Sequence, residues 1–193
     1  MTQAPNPDPT LALDLRSGLP DALRVLLAEY PRDQWDSDPG FDGLVRFWLD
    51  RHMMFRRILE RLTAEAKARH AGVLDPQRHA HALGRLGSSF VGELHGHHSI
   101  EDAHYFPTLA TKDARVARGF DLLDADHHAL DTHLAGFVDR ANAVLQAGDA
   151  GGDAVDRLID GLAEFERFLD RHLIDEEELV VPVILKYGTD GLG

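Results

Sequence analysis

The stretch HGHHSIEDAHYFP, residues 95–107, holds four of the chain's 12 histidines and two acids. Imidazoles and carboxylates packed this closely can bind a metal ion or move protons. The chain has no cysteine. Thiolate sites, disulfides and cysteine nucleophiles are therefore excluded, and His, Asp and Glu are its only strong metal ligands.

The pattern occurs twice. His97, Glu101, Asp102, Tyr105, Phe106 and Pro107 align at every offset with His172, Glu176, Glu177, Val180, Val181 and Pro182, a shift of 75 residues. The same shift carries His52 onto His127. Each half of the chain thus has a histidine and, 45 residues later, an HxxxE with a proline six residues beyond the glutamate. Positions i and i+4 share a helix face, which puts each glutamate one turn from its histidine.

The elements that must position these residues read as helix almost throughout, because apolar residues recur three and four apart rather than two. A short amphipathic segment, 19–29, closes at Tyr30-Pro31. The first long helix spans about 41–70, with a stripe of Phe41, Val45, Trp48, Phe55, Leu59 and Leu62. The second opens at Asp75-Pro76, an N-cap followed by proline at the first helical position, and ends near 109. The third covers about 113–146, and the fourth follows the glycine-rich AGDAGGD at 147–153. Four long helices with short connections imply an all-α, antiparallel up-down four-helix bundle with a short extra N-terminal helix. The expected division is an N-terminal extension over 1–40, the bundle over 41–187 and a flexible tail over 188–193.

Polar residues interrupt these stripes. His52 falls on the first, His127 on the third, and His172 with Glu176 on the fourth. On the second helix both His97 and His98 lie within reach of the stripe through Phe90 and Leu94, and the repeat selects His97. With a turn near 71–75, His52 and His97 lie roughly 27 and 33 Å from it at about 1.5 Å per residue, so they meet at one level. The turn near 147–152 does the same for His127 and His172. Four imidazoles and two carboxylates converge in one layer of the core.

A single histidine on an apolar stripe is more often a hydrogen-bonded core residue than a ligand. Six polar groups in a symmetric set differ, because each unpaired buried carboxylate costs several kcal/mol and no Lys or Arg shares their faces. A bound cation removes that cost. Six ligands exceed the four of a structural zinc site. Two adjacent metals fit better, bridged by Glu101 and Glu176, with two imidazoles each and open positions. Imidazole and carboxylate suit iron, manganese or zinc, and iron is favoured here.

The other histidines divide as follows. His98 and His128 each follow a candidate ligand directly, and about 100° of helical rotation turns them toward a neighbouring helix, beside the site. His104 lies seven residues beyond His97 and would pack, as its repeat partner Leu179 does, or add a ligand. Glu101 and His104 also form an ExxH, but the second half has no matching one. His70, His79, His81, His95 and His133 read as surface residues, and Trp48, Met53 and Met54 as packing.

Thirty-three acidic against 20 basic residues give a net charge of -13, which repels nucleic-acid phosphates and anionic membranes. No run of about 18 apolar residues is present to span a membrane. The opening MTQAPNPDPT has neither the basic flank nor the apolar stretch of a signal peptide, so a cytoplasmic protein is expected.

His52, then HHSIEDAHYFP, DHHAL and HLIDEEELVVP together resemble the hemerythrin-like, or HHE cation-binding, family of non-haem di-iron four-helix bundles. The resemblance covers about 41–187. It implies ligands at His52, His97, Glu101, His127, His172 and Glu176, holding two iron ions bridged by carboxylates and an oxo or hydroxo group. It also implies binding, sensing or reduction of dioxygen, peroxide or nitric oxide. Dioxygen carriers of this family have a second histidine four residues after the third-helix one, where this chain has Asp131. That points away from reversible carriage and leaves His104, His98 or Asp131 as additional ligands. The alternative is a non-enzymatic iron- or zinc-binding interaction bundle in which metal mainly stabilises the fold. No enzymatic activity and no protein partner can be assigned from these residues.

Overall fold

The computed structural model describes residues 9–41 and 43–192. The fold is all-α, and the described residues contain no strand. Its helices are α1 (Val25–Glu29), α2 (Gly43–His70), α3 (Pro76–Ile100), α4 (Phe106–Ala110), α5 (Ala117–Ala147) and α6 (Gly152–Tyr187). None of them is long and apolar enough to cross a membrane.

Local chemistry sets the ends of the elements. α2 finishes with Lys67, Arg69 and His70 in its last turn, where positive charge meets the negative end of the helix dipole. Gly72 then adopts φ +70°, and the Val73 and Gly72 amides return to the Ala68 and Arg69 carbonyls at 2.9 and 3.1 Å. That pair of bonds satisfies carbonyls that the helix end leaves open. Asp75 caps α3, its side chain accepting from the amides of Gln77 and Arg78 at 3.0 and 3.1 Å, a device worth about 1 kcal/mol. Gly148, at φ +55°, opens the turn into α6.

Three boundaries differ from the sequence expectation. Only Val25–Glu29 of the N-terminal segment is α-helical; a 3-10 turn at Asp21–Leu23 follows Pro20, and the Leu19 amide is taken by Asp175. α5 starts at Ala117 rather than near 113, because Asp113 accepts from the Arg115 amide and the Tyr187 hydroxyl and holds a turn there. The second long helix does not run unbroken. A π-helical turn, Glu101–Tyr105, joins α3 to α4.

α2 packs on α3 and α6, and α5 packs on α3 and α6. Two apolar clusters fill the interior between them. One gathers Phe55, Phe90, Phe137 and Phe165, with Phe90 edge-on to the other three at 5.5 to 6.3 Å. The second joins Trp48, Phe106, Phe120 and Leu179 to Leu19, Leu26 and Trp35 from the N-terminal segment. Fully burying each such side chain contributes about 1.5–3 kcal/mol. Along the chain the polar residues fall between these clusters: His52 between Trp48 and Phe55, and His127 between Leu123 and Leu130.

Candidate metal centre

Two groups of donor atoms meet in that polar layer. His52, His97, Glu101 and Glu176 form one, and His98, His127 and His172 the other; within each group the donors all lie within 4.8 Å of one another. All seven residues are buried except His97, which is partly so. Of the six residues read as ligands from the sequence, four stand in the first group and two in the second.

The glutamates tie the groups together. Glu101 sets Oε1 at 2.9 Å from His97 Nε2 and Oε2 at 3.6 Å from His127 Nε2. Glu176 sets Oε1 and Oε2 each 3.5 Å from the Nε2 atoms of His52 and His172. Each carboxylate therefore offers one oxygen to either group. The Trp48 indole N–H donates to Glu176 Oε1, so this residue, read as packing, also orients a carboxylate.

Behind the histidines stands a second set of carboxylates. His52 Nδ1 lies 3.0 Å from Glu177 Oε1, His127 Nδ1 2.7 Å from Asp102 Oδ1, and His172 Nδ1 3.4 Å from Asp126 Oδ2. An ionised carboxylate only accepts, so where the imidazole is neutral its proton sits on Nδ1 and its Nε2 lone pair faces inward. Metal-binding histidines are held in this way. Arginines hold these carboxylates in turn: Arg56 and Arg32 on Glu177, and Arg16 on Asp126. Burial alone would raise the Glu177 carboxyl, but His52 and Arg56 hold it down to about 2. Burial lowers the His52 imidazole, but the Glu176 and Glu177 carboxylates outweigh burial and raise it.

The inner set fits a cation. The Nε2 atoms of His52 and His97 approach to 3.1 Å, as do those of His127 and His172. Two neutral lone pairs so close repel unless a proton or a metal cation lies between them. Among the described residues, seven buried side-chain polar atoms lack a hydrogen-bond partner, and four are here: both oxygens of Glu101, Glu176 Oε2 and His98 Nε2. Burial pushes the Glu101 carboxyl up, and the nearby Glu176 charge pushes it further. Burial would raise Glu176 as well, but the histidines around it, His52 foremost, hold it down. Burial likewise outweighs the pull of Glu176 on His97, pushing it down to about 3, and lowers His98 strongly. Both stay neutral bases with lone pairs to give.

His98 stands in the second group rather than beside the site. Its ring stacks on His127 at 4.0 Å and is nearly parallel to it. α3 touches both α2 and α5, so the 100° step from His97 to His98 carries the side chain from one neighbour to the other, across the same layer. His104 and Asp131 are exposed and belong to neither group. The π-helical turn explains His104: buried positions step by five, from Glu101 to Phe106, and His104 is passed over. His128 is also exposed, bonded to the Asp124 carbonyl of its own helix. His79, read as a surface residue, is 2 % exposed. His133 is half-buried against the Phe168 ring, while His70, His81 and His95 are exposed.

Asp102 and Glu177 were legible as a repeat pair whose partners, His127 and His52, form another. Nothing in the sequence pointed to Arg16, which comes from outside the repeat and 110 residues before Asp126. A cavity of about 390 Å³ opens beside the first group, lined by Phe47, Trp48, Arg51, Gly96, His97, Glu101 and Tyr105, among others.

No curated protein and no solved structure matches the chain. The profile of the family described as the Hemerythrin HHE cation binding domain matches residues 43–184, the span that contains both donor groups. With a match over most of its length and a His/Glu cluster fitted to a metal ion, the chain belongs to the hemerythrin HHE cation-binding family.

Proposed function

We propose that the chain binds two iron ions, one among His52, His97, Glu101 and Glu176 and one among His98, His127 and His172, and uses them on a small oxidant. The observation that supports this best is the pair of buried glutamates, each directing one oxygen toward a histidine of either group. In this reading α2, α3 with α4, α5 and α6 make an antiparallel up-down four-helix bundle. Contacts along the pairs run in opposite order: Trp48, His52 and Phe55 against Tyr105, His97 and Phe90, and His127 and Phe137 against His172 and Phe165.

Iron, when bound, supplies one-electron chemistry and open positions for dioxygen, peroxide or nitric oxide. The residues of the chain supply the setting. Glu177, Asp102 and Asp126 keep the Nδ1 protons in place and aim Nε2 inward. Trp48 steadies Glu176 by its N–H. The apolar clusters on either side keep bulk water out, and the cavity beside His97 and Glu101 admits a small molecule to one group. That cavity favours binding, sensing or reduction of an oxidant over a metal that only braces the fold.

Metal analysis combined with absorption spectra of the anaerobically reduced protein, before and after air, tests the reading. About two iron ions per chain and a spectrum changed by air are expected. One tightly held zinc, with no uptake of iron, would favour the structural alternative.

A further inference from the structure

Residues 9–41 lie outside the stretch that matches the family, yet two of their arginines reach the carboxylates behind the donor groups. The Arg16 side chain is 2 % exposed. Its Nη1 donates to Asp126 Oδ1 at 2.7 Å, its Nη2 to Asp126 Oδ2, and its Nε to Asp175 Oδ2 at 2.8 Å. Asp126 is the carboxylate facing His172 Nδ1. Arg32 donates to Glu177 Oε2, while Glu177 Oε1 faces His52 Nδ1. Backbone contacts extend the grip: the Leu19 amide donates to Asp175 Oδ1 at 3.1 Å, and Arg171 Nη1 donates to the Ser17 carbonyl at 2.8 Å.

A guanidinium bonded to both oxygens of a carboxylate fixes the plane of that carboxylate as well as its position. Asp126 then has one orientation to offer the imidazole of His172. The arm to His52 is shared, because Arg56 also holds Glu177, at 2.9 Å. One segment of chain thus ends behind a histidine of each donor group.

We propose that residues 9–41 are a positioning element of the metal centre, with Arg16 and Arg32 fixing the carboxylates that orient His172 and His52. The proposal rests on the reading of those histidines as ligands. Its consequence is reciprocal: metal in the core tightens the docking of the segment, and the docked segment tightens metal binding by the same factor.

Hydrogen exchange on the full chain, metal-free and anaerobically loaded with iron(II), reads the first half of that statement. Amides of the segment should exchange at least about fivefold faster without iron, the low end of ordinary coupling between sites, and more so than those near Leu62 at the far end of α2. Iron bound with segment exchange unchanged would overturn the proposal and leave the metal reading intact. Iron that does not bind at all would overturn both.

The second half is read with Arg32→Gln, whose half-exposed position spares the core, and with Arg16→Lys, which keeps the charge but loses the two-pronged grip. Both should release iron(II) to a chelator about threefold to tenfold faster than the parent, just short of the effect of removing an outer carboxylate. Their ferric absorption bands should shift, and Arg32→Lys should restore the parent rate. Lower melting temperatures with release rates and spectra unchanged would make both arginines merely structural, and the proposal would fall.

Discussion

Moved by 75 residues, His52, His97, Glu101 and Asp102 become His127, His172, Glu176 and Glu177, yet the two halves of the centre have different surroundings. What repeats is the inner geometry. Glu177 backs His52 and Asp102 backs His127, so the outer acid of each repeat orients a histidine of the other. What does not repeat are the neighbours. Arg51 stands where the second half has Asp126, and His98 where it has Leu173. Arg51 lines the cavity and pairs with Glu93 at 2.5 Å, whereas Asp126 is buried against Arg16. The repeated positions supply candidate ligands, and the unrepeated ones set the halves apart: one beside a cavity, the other backed by the buried Arg16.

The largest expected effect breaks both halves at once. Glu101→Ala and Glu176→Ala should each weaken iron binding by more than about 100-fold, beyond the range for outer partners, in titrations of the metal-free protein. Loss from one half only would show that the glutamates do not span the pair. Removing the metal altogether tests how far the fold leans on it. At iron a thousandfold above its Kd, binding adds about 4 kcal/mol, so the metal-free chain should melt roughly 10 °C lower by calorimetry. Equal melting temperatures would contradict a buried site.

A finer test makes the first repeat resemble the second. His98→Leu copies Leu173 and should weaken the second ion by about 10–100-fold while leaving one iron per chain bound, with His95→Ala as a silent control. Loss of both ions, or of neither, would mean that His98 does not belong to one half. Gly96→Leu acts on the other side. A Cβ there meets nothing within 4 Å, and the side chain would fill the cavity. Stopped-flow oxidation by dissolved dioxygen should slow about tenfold, some 1.4 kcal/mol of barrier, while the melting temperature rises by about 1–4 °C as a helical glycine is replaced. An unchanged rate would mean that small molecules enter elsewhere. The smallest effect is expected from Asp131→His. Its exposed position puts the new imidazole in solvent, so metal content and oxidation rate should stay as they are.

The helices were legible because their apolar residues keep strict time, and the inner set of candidate donors because it is repeated. His97 and Glu101 could be matched to His172 and Glu176 without any structure. His98 could not, since its repeat partner is Leu173 and only the placement of α3 between α2 and α5 shows that a 100° step stays within the layer. His104 failed for the opposite reason. A helical count places it on the stripe, and the π-helical turn, which has no counterpart in α6, removes it. The spacing of residues carries no sign of that turn. Arg16 and Arg32 stayed hidden because their partners are more than a hundred residues away.

Anomalous diffraction at the iron edge, from crystals of the iron-loaded protein, tests the central claim most directly. Two peaks about 3.5–4 Å apart are predicted, one against His52 and His97 and one against His98, His127 and His172, with Glu101 and Glu176 between them. A single peak, or two peaks that leave His98 without a metal neighbour, would contradict the account.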